Sequence, residues 1–312
     1  MSSATARGNV NREDPTPVRD THDDMMALKS STTRKEQVRK VCRKSNMTKI
    51  FGNVSEIKMR RKNLLYHHLI VDESHRVIYC YIPKVACTQL KRIFIVLNNE
   101  SASVTQLDHQ ETHSRQNLVF LSDKKYSEEQ RQQMLTNFYK FMIVRDPLER
   151  LLSAWKEKLK GQIVASLWLE AIARHVRVYR NYPANEISLV QNVTFHEYIG
   201  YLTDEMPLDL NEHFMRFNVL CSPCDVHYDF ISLIDNLQRD LNYLAKQINL
   251  NRETHFIQQK SSIPQMTTKK STASYFKSLP KIIFHKLINL YKLDHELFGF
   301  SLPTYETLDE RI

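Results

Sequence analysis

The stretch VIYCYIPKVACTQLKR, residues 77–92, decides the fold, and FMIVRDPLERLLSAWKEK, residues 141–158, repeats its plan. Val77 to Ile82 is an unbroken apolar, β-branched and aromatic run, the pattern of a strand covered on both faces in a parallel sheet. Pro83 cannot donate to a ladder and ends it, and Lys84 follows. Leu90, Ile93, Phe94 and Leu97 then recur at helical spacing. The turn from Lys84 to Thr88 therefore precedes a helix, where unpaired N–H groups and the dipole favour an anion. Lys84 adds a charge there and Thr88 a hydroxyl.

The second unit has the same logic. Phe141 to Val144 reads as a buried strand, and Asp146, Pro147 and Glu149 supply an N-cap, a first-turn proline and a capping-box partner. Leu148, Leu151, Leu152, Trp155 and Leu159 form the apolar stripe of the helix, with Arg150 and Ser153 on another face. Arg145 ends the strand, within reach of a phosphate held near that face. Read alone, Arg145 and Arg150 are ordinary surface or capping charges. The pairing of two strand–cation–helix units is what points to one nucleotide gripped at both ends. The glycine-rich loop GxxxxGK[ST] is absent from the chain, which removes the usual support for a kinase or ATPase.

Further along, Tyr228 to Ile234 reads as another strand, and Leu237, Leu241, Leu244 and Ile248 as the helix behind it. This third strand–helix unit predicts a three-layer α/β fold with a mostly parallel sheet. The interval from Gly161 to Met206 is partly amphipathic helix, and Arg174, Arg177 and Arg180, three apart, line a channel or a solvated face. Ser261 to Ser274 is expected to be a surface loop. Phe284, Leu287, Ile288, Tyr291 and Leu293 predict a closing helix, anchored by Phe298 and Phe300.

Charge is uneven along the 312 residues, which total 44 Lys and Arg against 35 Asp and Glu. Residues 1–62 hold 15 basic and 7 acidic side chains and the remainder 29 and 28, so the net charge of +9 lies almost wholly in the N-terminal segment. A nucleic-acid-binding domain concentrates charge on the folded unit, so no nucleic-acid partner is expected. Residues 1–62 read as a flexible basic stem, with short helices near Met25 to Leu28 and Lys35 to Arg43, and residues 63–312 as the folded domain. No run reaches the length of a membrane span.

The two units resemble the 5′-phosphosulfate loop and the 3′-phosphate site of carbohydrate sulfotransferases that use 3′-phosphoadenosine-5′-phosphosulfate, in the group of the chondroitin, dermatan and HNK-1 enzymes. HHLIVDESHRVIYCYIPKVACTQLKR, LCSPCDVHYDFISLIDNL and YKLDHELFGFSLP are similar to that group in order and spacing, over roughly residues 64–305, and chondroitin 4-O-sulfotransferases are the nearest likeness. The resemblance implies the P-loop-like sulfotransferase fold and sulfuryl transfer to a glycan hydroxyl, with GalNAc O-4 of chondroitin or a related anionic chain as acceptor. It places Pro83, Lys84, Val85, Ala86, Cys87 and Thr88 around the 5′-phosphosulfate and Arg145 and Ser153 at the 3′-phosphate. Gln89 stands where the group is expected to carry asparagine. An inactive nucleotide- or glycan-binding relative is the alternative, against which intact Lys84, Thr88, Arg145 and Ser153 argue.

Lys84 is expected to stabilise the leaving phosphate oxygen. The acceptor hydroxyl needs a base, and His213, in NEHF at the spacing where the chondroitin group carries a histidine, is the first choice, with His109 and His113 as runners-up. No metal is required. Sequons at Asn46, Asn53, Asn99 and Asn192 and five cysteines favour a secretory route. Cys221 and Cys224 with His213 and His227 offer a zinc alternative, but the resemblance points to structural disulfides, whose pairing stays open. The family implies a Golgi, type II location through an N-terminal anchor that this chain does not show.

Overall fold

A computed structural model describes residues 21–44, 56–98, 106–164, 170–182, 190–204, 210–249 and 269–308. Its centre is a four-stranded sheet ordered β1 (Leu69–Asp72), β2 (Val77–Cys80), β3 (Tyr139–Val144) and β6 (Phe230–Leu233). β2, β3 and β6 run parallel, Cys80 pairing with Met142 and Val144 with Leu233, while β1 joins β2 as an antiparallel edge. Every residue of β1 and β2 is buried, as continuous apolar runs require in a sheet covered by helices. The mostly parallel α/β expectation is borne out.

Each parallel strand feeds the helix that its sequence foretold. α3 (Cys87–Asn98) follows β2, α6 (Pro147–Lys158) follows β3 and α10 (Leu237–Gln247) follows β6. Between α3 and β3 lie two short helices, α4 (His109–His113) and α5 (Glu128–Asn137). Tyr79 of β2 is fully buried and stacks on Phe94 and on Phe141, with ring centroids 5.8 and 5.0 Å away, fixing α3 against the sheet. In α6, Asp146 Oδ1 accepts from the Leu148 and Glu149 N–H groups at 2.9 and 3.1 Å, as an N-cap should.

Beyond α6 come β4 (Ile163–Val164) with its partner β5 (Val190–Gln191), α7 (Glu170–Tyr179), α8 (Phe195–Asp204) and α9 (Phe217–Leu220). Trp155 Nε1–H donates to the Val193 carbonyl at 2.9 Å, and its ring lies 5.3 Å from both Phe195 and Tyr275, joining α6 to α8 and to α11 (Lys269–Lys277). α11 corrects the expected loop from Ser261 to Ser274: helix begins at Lys269, while 261–268 lie outside the described residues. The closing helix, α12 (Lys281–Phe298), ends at Gly299 in the left-handed conformation (φ 72°) that a C-terminal cap favours.

The flexible-stem expectation fails for His22–Lys44, which form one continuous helix, α1, packed against β6, α10 and α12. Its work is mostly polar. β6 is the open edge of the sheet, and α1 answers that edge: Ile231 N–H donates to Ser31 Oγ at 2.9 Å and Lys35 Nζ to the Asp229 carbonyl at 2.8 Å. Asp24 takes Lys246 of α10 at 2.5 Å. A Cys42–Cys224 disulfide then ties the end of α1 to the loop after α9. α2 (Glu56–His68) leads into β1.

The cysteine question resolves as two cross-links, Cys42–Cys224 and Cys80–Cys221, with Cα separations of 5.5 and 6.0 Å, and Cys87 as a buried thiol. Cys221 and Cys224 therefore each bond a distant partner, and the zinc alternative loses its two thiolates. Among the described residues no helix is long and apolar enough to cross a membrane.

Candidate active site

Because β2 and β3 are parallel neighbours, the turns leading to α3 and α6 open at the same edge of the sheet. Lys84 stands on the first turn and Arg145 on the second. The first turn is built without glycine, yet Lys84 and Ala86 have φ of 73° and 64°. Alternating signs of φ aim successive N–H groups to one side, the concave arrangement that receives an anion. A residue with a Cβ pays about 1–2 kcal/mol for the left-handed conformation, so the surroundings must hold this turn in place.

The main holder is Arg150. Its side chain is 1% exposed and its guanidinium donates three ways: Nε to the Pro83 carbonyl at 3.0 Å, Nη1 to Met215 at 2.7 Å and Nη2 to Glu212 at 2.8 Å. The Phe217 ring lies 4.9 Å away. One fork thus fixes the Lys84 turn to the 212–215 segment that carries His213. Burial pushes the Arg150 pKa down, and the nearby Tyr291 and Asp294 oppose that. Asp294 in turn accepts from the N–H groups of Phe217 and Asn218 at 2.7 and 3.0 Å.

His213 Nδ1–H donates to Asn211 Oδ1 at 2.8 Å, which places the proton on Nδ1 and the lone pair on Nε2. Burial is the first cause that lowers its pKa, to about 3; Glu212 pulls it up, while Lys158, Arg150 and Lys84 push it down. The ring is therefore neutral at any ordinary pH, and the Lys84 charge is close enough to act on it.

The runner-up His113 is also in this cluster. Its Nε2 lies 3.1 Å from Thr88 Oγ1, and its ring stacks on His109 with centroids 4.4 Å apart. Burial, then Lys91 and His109, lower its pKa to about 4. Below them, Tyr81 O–H donates to Glu212 Oε2 at 2.9 Å and Lys91 Nζ sits 3.9 Å from the Tyr81 ring centre. Burial raises the Glu212 pKa, but His68, His213, Tyr81 and Lys91 together keep it below the ordinary value.

On the second turn Arg145 is 4% exposed, with Nε and Nη2 both 3.4 Å from Glu149 Oε2. Glu149, foreseen as a capping-box partner, thus faces the arginine. Ser153 lies two turns along α6 and is half-buried. Pro83, Val85 and Cys87 are buried in the first turn, and Ala86 is partly so.

Other sequence readings land elsewhere. Arg177 pairs with Glu170 at 3.0 Å and Arg180 with Glu197 at 2.6 Å, so two of the three spaced arginines serve local ion pairs. Asn192 is exposed, and its Oδ1 accepts from Gly161 N–H at 3.0 Å, while Asn46, Asn53 and Asn99 lie outside the described residues. Among the described residues no group of three or more metal-ligating side chains occurs. Sequence reasoning missed the inward turn of Arg150, the carboxylate of Glu212 and the pairing of Lys84 with Glu157. The last had a signal, since Glu157 follows Ser153 by one helical turn.

A model of the sulfotransferase family matches residues 67–301. Carbohydrate sulfotransferase 14 of Danio rerio is 36% identical over 292 residues, covering 92% of this chain and 76% of that protein. Carbohydrate sulfotransferase 11 of the same fish is 32% identical, covering 87% and 76%, and human carbohydrate sulfotransferase 9 is 28% identical, covering 82% and 58%. No solved structure matches the chain. With two strand-to-helix turns side by side on a parallel sheet and this likeness along most of its length, the chain belongs to the sulfotransferase family, as a carbohydrate O-sulfotransferase.

Proposed function

We propose that this enzyme moves a sulfuryl group from 3′-phosphoadenosine-5′-phosphosulfate to O-4 of GalNAc in chondroitin or a related anionic chain. The observation that carries this reading is the placement of the Lys84–Thr88 turn and the Arg145 turn at one edge of the sheet, on strands paired in register. The first offers a cation, N–H groups and a hydroxyl to the 5′-phosphosulfate, the second a buried guanidinium to the 3′-phosphate. The catalytic unit is read as residues 63–312, onto which α1 is fastened.

In the reaction, the acceptor oxygen attacks sulfur, the bond from sulfur to the bridging oxygen breaks, and that electron pair stays on the 5′-phosphate, where Lys84 offsets the new charge. The hydroxyl proton passes to Nε2 of His213. A pKa of about 3 makes His213 a weak base in the donor-free enzyme, but the donor brings negative charge beside it and raises that value. His213→Ala is expected to lower kcat about a hundredfold or more, the usual range for a lost general base. A kcat within threefold of the native value would assign the proton to another group.

Arg145→Ala and Ser153→Ala are expected to weaken binding of the full donor by roughly tenfold or more, since a charge-assisted contact is worth about 1.5–3 kcal/mol. An analogue lacking the 3′-phosphate should bind these variants as it binds the native protein. Equal losses for both ligands would remove the 3′-phosphate assignment.

The two disulfides support an oxidising compartment and hence the Golgi route. Alkylation of protein from its own cell before and after reduction should label Cys87 alone in the first case; four further thiols labelled without reduction would overturn the location.

The acceptor is tested by transfer of labelled sulfate to a panel of desulfated chondroitin, dermatan and glucuronyl-terminated glycans. Label is expected on GalNAc O-4 of the first two. Label confined to the glucuronyl-terminated chains would overturn the acceptor while keeping the activity.

A further inference from the structure

Lys84 is held in a contact that the donor must undo. Its ammonium pairs with the carboxylate of Glu157, in the last turn of α6. The lysine side chain is only 8% exposed, so the pair is shielded on one side, while Glu157 is 44% exposed. The other oxygen of Glu157 takes Lys158 Nζ at 2.9 Å. Partial burial pushes the Glu157 pKa up, but the hydrogen bond and charge of Lys84, then those of Lys158, outweigh it and bring the value down to about 2. Glu157 is therefore an anion throughout the working pH range, and it sits where Lys84 would otherwise meet a phosphate or sulfate oxygen.

We infer that Glu157 is an internal competitor for the 5′-phosphosulfate, occupying Lys84 until the donor displaces it. The inference rests on the reading of Lys84 as the donor lysine. It goes further by giving this site a latched, donor-free state. Two features suit an exchange rather than a permanent bridge. Glu157 lies on the solvent side of α6, so its carboxylate can turn to water without leaving a buried charge behind. Lys158 already contacts it, so the displaced carboxylate keeps a counter-ion. With Glu157 on Lys84 the lysine charge is neutralised before the donor arrives, and each binding event must first separate that pair. The latch thus lowers donor affinity. It also withholds the Lys84 charge until a stronger anion takes the carboxylate's place.

The test is calorimetric titration of the whole chain with adenosine 3′,5′-bisphosphate, which carries both phosphates and cannot react. Glu157→Gln keeps the shape of the side chain on an exposed helix face and removes its charge. Binding is expected to tighten by roughly tenfold, as removal of a half-shielded competing charge a few ångströms from the ligand implies. In a Lys84→Ala background the same change should have almost no effect, because there is no latched lysine to release.

Three results would overturn the proposal. If Glu157→Gln binds no tighter while Lys84→Ala binds more weakly, Glu157 does not compete and only the latch falls. If the gain is as large in the Lys84→Ala background as in the native one, the carboxylate acts by general repulsion and not by holding Lys84. If Lys84→Ala binds the bisphosphate as tightly as the native protein, the assignment of Lys84 to the donor fails, and the latch goes with it.

Discussion

Lys84→Ala is expected to lower the rate of sulfuryl transfer about a thousandfold or more at saturating donor and acceptor, with the cooperative thermal melt of a folded protein retained. The magnitude follows from the place of the charge: the bridging bond breaks toward the 5′-phosphate, and removal of one donor aimed at such a developing anion costs about 10²–10³ in kcat. A full cation should do at least as much. The fold should survive at a modest cost: the side chain is only 8% exposed, so its buried methylene stem is lost, but the left-handed backbone (φ 73°) is no more strained with alanine than with lysine. Glu157 loses a partner but keeps Lys158 at 2.9 Å. Lys84→Arg should recover only part of the rate, since a planar fork is a poor replacement for a compact ammonium inside a tight turn. The measurement is single-turnover transfer from labelled donor beside a thermal melt. A rate within tenfold of native, with donor affinity intact, would sink the leaving-group role.

The two motif-bearing units were legible because their signals are local and redundant. Val77 to Ile82 and Phe141 to Val144 are continuous apolar runs, each followed within a few residues by helical spacing, and Asp146–Pro147 marks a helix start on its own. The missing parts fail for identifiable physical reasons. α1 grips the sheet edge through Ser31 and Lys35, and α10 through Asp24, residues that read as solvent-facing in any hydropathy pattern. The turn between β2 and α3 carries positive φ at Lys84 and Ala86, where a reader looks for glycine, and what holds that strain lies 64 or more residues away in sequence, at Arg150 and beyond. Cysteine pairing depended on tertiary placement, since Cys221 and Cys224, three apart, turn to different elements. His113 shows the limit from the other side: its helix was not foreseen in detail, but its type and its place after α3 marked it as a candidate, and it reaches Thr88.

Arg150 should matter most for stability. Arg150→Ala is expected to lower the unfolding free energy by about 3–5 kcal/mol, comparable with breaking a buried charged contact. The loss has two sources. Three inward-facing carbonyls, of Pro83, Glu212 and Met215, lose a charged donor whose hydrogen bonds are worth about 1.5–3 kcal/mol each before their mutual dependence is counted. The vacated space also opens a cavity beside the Phe217 ring. Arg150→Lys should be nearly as costly, because one ammonium on a flexible stem cannot span carbonyls from two separate segments, whereas the fork of guanidinium donors does so in a fixed plane. Arg150→Met, which refills part of the volume but supplies no donor, separates the two sources: if cavity dominates, it should recover more than half of the loss, and if the carbonyls dominate, almost none. The geometry favours the carbonyls. Denaturant unfolding with an unchanged slope is the readout. A loss below 1 kcal/mol for Arg150→Ala would mean that the Lys84 turn keeps its left-handed backbone without the guanidinium, and that something other than this residue fixes the turn to the segment carrying His213.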